Sequence, residues 1–232
     1  MLASCSRLLR DFNSLFYPNC CPGCGRALLK GEKVICSACL VSMPQTDFHL
    51  HEWNQLARRL YGRFPVSNAL AFLKFTKNGR IQHLLHSLKY RNQPEIGLAL
   101  GTLYGGKLAE AGFKGRFDVI IPVPLHPTRL RKRGYNQSQK FAEGLSSILE
   151  VPVDNNALYR RLKTSTQTRK SKLERWENVS DVFGFRTDAP APHRHVLLAD
   201  DVITTGATVE ACATTLLQHV PCQVSVVCIA VA

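Results

Sequence analysis

Val196-Leu197-Leu198-Ala199-Asp200-Asp201-Val202-Ile203-Thr204-Thr205-Gly206-Ala207-Thr208 is the stretch whose reading decides the fold. The apolar run at 196–199 reads as a buried strand crossing a sheet core. Asp200 and Asp201 follow where that strand is expected to end. Two adjacent carboxylates there suit the vicinal hydroxyls of a ribose, met directly or through a bound cation. Thr204, Thr205, Gly206, Ala207 and Thr208 then lead into a helix expected over 209–219. Small residues let the backbone wrap a phosphate, backbone N–H groups and the helix amino terminus attract it, and threonine hydroxyls add donors. The plain alternative is a strand–turn–helix with two exposed aspartates.

Upstream, Asp118–Pro122 (DVIIP) reads as another buried strand, followed by VPLHPTRLRKRGYNQ and an apolar-periodic helix through Phe141, Leu145, Ile148 and Leu149. Residues 69–75 suit a strand. Ile81, Leu84, Leu85 and Leu88 are spaced for an amphipathic helix over 80–90, and Pro94 opens a further helix to about residue 110. Residues 224–231 form a final strand. Strands alternating with helices imply an α/β fold whose parallel sheet takes ligands at the carboxyl ends of its strands. Residues 163–180 are polar, basic and weakly periodic, which suggests a long mobile loop.

The amino-terminal region has a different character. Six of the nine cysteines lie before residue 40, and none falls between 40 and 211. Cys21-x2-Cys24, eleven residues, then Cys36-x2-Cys39 is the spacing of a closed four-thiolate zinc site, with a small hairpin expected between the knuckles near Lys30-Gly31. Such sites are structural, because no coordination position stays open. The alternative is two redox-active pairs or unligated core thiols. Cys20 is adjacent, but the spacing favours Cys21. Cys212, Cys222 and Cys228 read as small core residues.

The 232 residues carry a formal net charge of +13, with 45% hydrophobic and 20% charged residues. This balance favours anionic partners: nucleic acid, phosphorylated metabolites or acidic surfaces. No apolar run reaches the roughly 20 residues of a membrane span, and no hydrophobic segment precedes Leu2-Ala3-Ser4-Cys5. A cytoplasmic protein without membrane insertion is expected. Leu8, Leu9, Phe12, Leu15 and Phe16 suit a short amphipathic helix. Residues 53–94 hold no acid but many bases, among them Arg58, Arg59, Arg63 and Lys89. This stretch is either a solvated face or an anion-binding surface.

The 196–208 segment resembles the phosphoribosyl pyrophosphate signature of type I phosphoribosyltransferases. IPVPLHPTRLRKRGYNQSQKFAEGL, LKY at 88–90, the run Gln167, Arg175 and Asn178, and the four cysteines resemble the competence protein F (ComF/GntX-like) family across nearly the whole chain. That resemblance implies a zinc ribbon over 1–50 joined to a phosphoribosyltransferase-fold unit over 51–232, hood-like at 51–115 and core at 116–232. It implies ribose at Asp200 and Asp201, the 5′-phosphate at Thr204–Thr208, and pyrophosphate on the loop near 123–134 with Arg129, Arg131, Lys132 and Arg133. Residues 163–180 would be the closing loop, bringing Arg169, Lys170 and Arg175 to the leaving group. Structural zinc, and magnesium with phosphoribosyl pyrophosphate, would be the ions. The family is associated with DNA uptake in natural transformation and with use of external DNA.

Two classes of function remain open on this reading. One is a transferase with an unidentified acceptor. The other is a non-catalytic accessory protein of DNA uptake that binds single-stranded DNA or a translocase through its basic stretches, with Tyr61, Phe64, Phe72, Phe75 and Tyr90 nearby for stacking, although aromatic residues at such places are more often core.

Overall fold

A computed structural model describes residues 19–161, 182–186 and 195–232. The amino-terminal amphipathic helix and the 163–180 loop, with Arg169, Lys170 and Arg175, lie outside the described residues.

Four strands, β1 (Val66–Lys74), β2 (Val119–Pro122), β5 (His195–Ile203) and β6 (Gln223–Val231), form one sheet in the order β1-β6-β5-β2. All three pairings are parallel. The strands are Val-, Ile-, Leu- and Ala-rich because both faces are covered, and β6 is buried from Val224 to Val231. A short antiparallel pair, β3 (Leu158–Arg160) and β4 (Phe183–Phe185), stands apart from it.

On one face lie α3 (Arg80–Tyr90), α4 (Glu95–Glu110) and α6 (Gln137–Leu149), whose buried residues share a core with Leu70, Ile120, Leu197 and Ile229. The other face is covered by α2 (Gln55–Leu60) and α7 (Ala207–His219), packed against Ala71, Ile121, Leu198 and Val226. The expected parallel sheet flanked by helices is the one observed.

Helices α4 and α6 meet through glycine. A Cβ at Gly101 would collide with the Phe141 carbonyl oxygen, and one at Gly144 with the Leu98 carbonyl oxygen. Such close approach sets the height of α6 against the sheet, and so the position of its first turn.

The four-cysteine unit, which includes α1 (Ser37–Val41), is joined to the same core. Cys21, Ile35, Cys36, Cys39 and Met43 cluster with Leu84 of α3 and the α4 residues. Arg80 donates to Ser42 Oγ across this junction. The hairpin expected between the knuckles is absent: residues 26–35 carry turns and a single bridge, Cys20 to Ala27. The Glu32 carboxylate instead takes the Leu29 and Ser37 N–H groups at 2.8 and 2.6 Å, satisfying backbone donors that a ladder would have used. No described helix is long and apolar enough to cross a membrane.

Candidate functional site

Strand β5 does not stop before its acids. Asp200 pairs with Cys228 and Val202 with Ala230, so the ladder runs on to Ile203. Asp200 and Asp201 are therefore held rigidly and are only 9% and 8% exposed.

Buried carboxylates need partners, and these come from α6 and α3. Gln137 Nε2 donates to Asp201 Oδ2 at 2.9 Å, and the Lys89 ammonium pairs with the same oxygen at 2.9 Å. Ser138 Oγ donates to Asp200 Oδ1 at 3.2 Å, and the Asp201 N–H joins it at 2.8 Å. Burial first, then the neighbouring Asp201 charge, pushes the Asp200 carboxyl up to about 7. Sequence reasoning singled out the two acids but not Gln137 or Ser138. Lys89 entered as one base of the acid-free 53–94 stretch and through the LKY resemblance, with no link to the acids.

Beyond Ile203 the chain turns at Gly206, whose φ of +87° lies in the left-handed region. Gly206 is the N-cap of α7 and has no side chain to cap it; one residue earlier, the Thr205 hydroxyl accepts the Ala207 N–H at 3.4 Å. Thr204, Thr205, Ala207 and Thr208 are exposed around this turn. Helix α2 braces the loop from the other side. Arg59 donates to the Thr204 carbonyl, Arg63 pairs with Glu210 at 2.9 Å, and Leu60 packs against Gly206.

The segment after β2 enters α5 (Pro127–Arg133), which bears Arg129, Arg131 and Lys132 exposed to solvent. The Arg133 guanidinium lies 5.6 Å from the centroid of the exposed Tyr90 ring, and its Nη1 is buried without a hydrogen-bond partner among the described residues. The last turn of α3 is held by Tyr135, whose hydroxyl donates to the Leu88 carbonyl. The aromatic residues with a stacking role expected in the sequence divide. Tyr61 and Tyr90 are exposed, whereas Phe64 and Phe72 are core residues and Phe75 packs against the core. A groove of about 740 Å³ lined by Trp53, Tyr61, Arg63 and Phe64 does not include the acid pair.

Cys21, Cys24, Cys36 and Cys39 bring their four sulfur atoms within 4.8 Å of one another. A tetrahedral zinc with bonds of about 2.3 Å needs sulfurs about 3.8 Å apart, and Cys24 Sγ to Cys36 Sγ is 3.6 Å. The donor set and spacing fit a structural zinc. The Arg26 guanidinium on Cys36 Sγ, at 3.4 Å, pulls that thiol down to about 6, favouring the thiolate a metal takes. Magnesium suits carboxylate oxygens, but Asp201 Oδ2 already carries Lys89 and Gln137. The acid pair therefore fits a divalent ion only in part.

A search of protein-family profiles gave no match. The chain is 32% identical over 212 residues to the DNA utilization protein YhgH of Shigella flexneri, spanning 90% of this chain and 88% of that protein. It is 36% identical over 129 residues to competence protein F of Haemophilus influenzae, spanning 54% of this chain and 56% of that one. Among solved structures, a purine phosphoribosyltransferase from Pyrococcus horikoshii aligns with a TM-score of 0.35 at 16% identity, over 58% of this chain and 81% of that chain. With near-full-length similarity to the first of these, the chain belongs to the DNA utilization protein YhgH and competence protein F family.

Proposed function

We propose that the chain binds phosphoribosyl pyrophosphate or a ribose 5-phosphate at the carboxyl end of β5, in the service of DNA uptake or use of external DNA. The observation that carries this reading is the buried Asp200–Asp201 pair, followed within a few residues by the Gly206 turn at the head of α7. The two carboxylates would accept the ribose hydroxyls, and residues 204–208 would surround the 5′-phosphate with backbone N–H groups and threonine hydroxyls. Arg129, Arg131, Lys132 and Arg133 of α5 supply cations for a diphosphate, and magnesium would travel with that diphosphate. Phosphoryl ligands of both kinds should be titrated into the full chain by calorimetry. Turnover of phosphoribosyl pyrophosphate with a panel of nucleobases then separates a transferase from a binding protein, since fold and activity part readily. Absence of heat with either ligand would remove the reading.

A second reading has its own observation. Helix α5 exposes Arg129, Arg131 and Lys132 beside the Tyr90 ring that Arg133 overlies. Cations next to an exposed aromatic face suit the backbone and bases of single-stranded DNA. This is the accessory-protein role, and it is compatible with the first.

A further inference from the structure

Two adjacent buried carboxylates repel each other, and burial makes the repulsion expensive. Something must balance them before any ligand arrives. In enzymes that hold ligands through paired acids, a divalent ion is one solution. Here the chain supplies another.

Lys89 is a residue of the last turn of α3, a helix anchored by buried Ile81, Leu84, Leu85 and Leu88. Its side chain is only 24% exposed and its ammonium sits 2.9 Å from Asp201 Oδ2. Tyr135 fixes the backbone one residue earlier, at the Leu88 carbonyl. This is not a solvated surface lysine that happens to lie near an acid. Gln137 donates to the same oxygen, while Ser138 and the Asp201 N–H take Asp200 Oδ1. Each carboxylate thus has one oxygen engaged by the protein. Among the described residues no side chain donates to Asp200 Oδ2 or Asp201 Oδ1. Two acceptors left without a donor match two vicinal hydroxyl donors in number.

Resting on the ribose-phosphate reading above, we propose that Lys89 is the built-in counter-cation of the acid pair, so that Asp200 and Asp201 accept vicinal sugar hydroxyls directly and need no divalent ion to do so. An ion placed on Asp201 would share that carboxylate with an ammonium and would meet its repulsion. Magnesium also demands a near-octahedral oxygen shell, which the amide and ammonium nitrogens at Asp201 Oδ2 do not offer.

Ribose 5-phosphate is the probe, because it lacks the diphosphate that would bring its own magnesium. It is titrated into the full chain, zinc retained, in buffer stripped of magnesium by chelating resin and again with millimolar magnesium. The wild type should bind equally in both, within about threefold. Lys89→Met should bind at least about tenfold more weakly without magnesium, the loss of one charge-assisted partner, and added magnesium should restore part of it. Lys89→Arg should keep most of the affinity. Wild-type binding that appears only with magnesium would overturn the proposal and leave the ribose site standing. So would a folded Lys89→Met chain that binds like wild type without the ion. No binding in either buffer would overturn the ribose-phosphate reading itself, and this proposal with it.

Discussion

Asn136 Nδ2 donates to the Val123 carbonyl across 2.9 Å, tying the head of α6 to the segment that leaves β2. The same side chain caps α6 by accepting the Ser138 N–H at 3.1 Å. Gln137 and Ser138, the next two residues, hold the acid pair, so one asparagine sets the spacing between the candidate diphosphate loop and the ribose carboxylates. Asn136→Ala should lower stability by about 1–2 kcal/mol through the lost cap and should weaken sugar-phosphate binding as well. Urea unfolding and calorimetry on the same variant check both. An unchanged unfolding midpoint would show that the cap contributes nothing.

Asp200 makes the empty protein pH-sensitive in a defined direction. Its carboxyl is raised from an ordinary 3.8 to about 7, chiefly by burial. Between those values the folded chain keeps a proton that the unfolded chain has lost. The folded state then binds more protons, so this group's contribution to stability falls as pH rises through that window. The full effect is at most roughly 4 kcal/mol. Ligand-free Asp200→Asn should therefore be more stable than wild type at pH 8 and differ little from it at pH 4. Denaturant unfolding at the two pH values reads the difference, and a wild type that gains stability relative to the variant as pH rises would contradict it.

Zinc should be present once per chain, held by Cys21, Cys24, Cys36 and Cys39. Cys36→Ser should cut the zinc content measured by elemental analysis. Because Cys21, Cys36 and Cys39 pack with Leu84 and Ile96, chelation should loosen α3 along with the cysteine unit, which hydrogen exchange at 80–90 would register. Unchanged zinc in the serine variant would rule out this ligand set.

The DNA reading is tested on the α5 charges, which the proposed diphosphate site shares, rather than on the bases of the 53–94 stretch. Arg59 and Arg63 brace the 204–210 segment through Thr204 and Glu210, so reversing them would disturb the sugar-phosphate loop as well. Arg129, Arg131 and Lys132 are exposed on α5. Reversing these three to Glu should weaken single-stranded DNA binding and reduce the log–log salt slope by about 2. Equal binding to heparin, with no loss in the triple variant, would mean that the charge is generic.

What the sequence made legible follows from how local each signal is. The 196–208 segment carries its strand, its acids and its small-residue turn within one short run, and the cysteine spacing is equally local. The strand end at 199 was too early, because the extra pairs of Asp200 with Cys228 and Val202 with Ala230 depend on β6. Gln137 lies 64 positions from Asp201 and Ser138 62 from Asp200, and nothing within helix α6 itself says that its first turn meets β5. The tightly packed glycines of α4 and α6, Gly97, Gly101, Gly105 and Gly144, were a usable sign of close helix packing. The aromatic residues between 61 and 90 could not be divided in advance, because sequence shows hydrophobicity and not direction: Phe72 stacks on Tyr104 inside the core, as aromatic residues more often do, whereas Tyr90 faces out.

The central claim is that Asp200 and Asp201 hold a ribose whose phosphate sits on residues 204–208. Its most direct test is calorimetric titration of phosphoribosyl pyrophosphate and ribose 5-phosphate into wild type and into Asp200→Asn/Asp201→Asn, with circular dichroism to confirm that the double variant is folded. Removing the charge from both contacts, at about 1.5–3 kcal/mol each, should lower the affinity for either ligand by at least tenfold. A folded double variant that binds both ligands as tightly as wild type would place the sugar elsewhere and contradict the account.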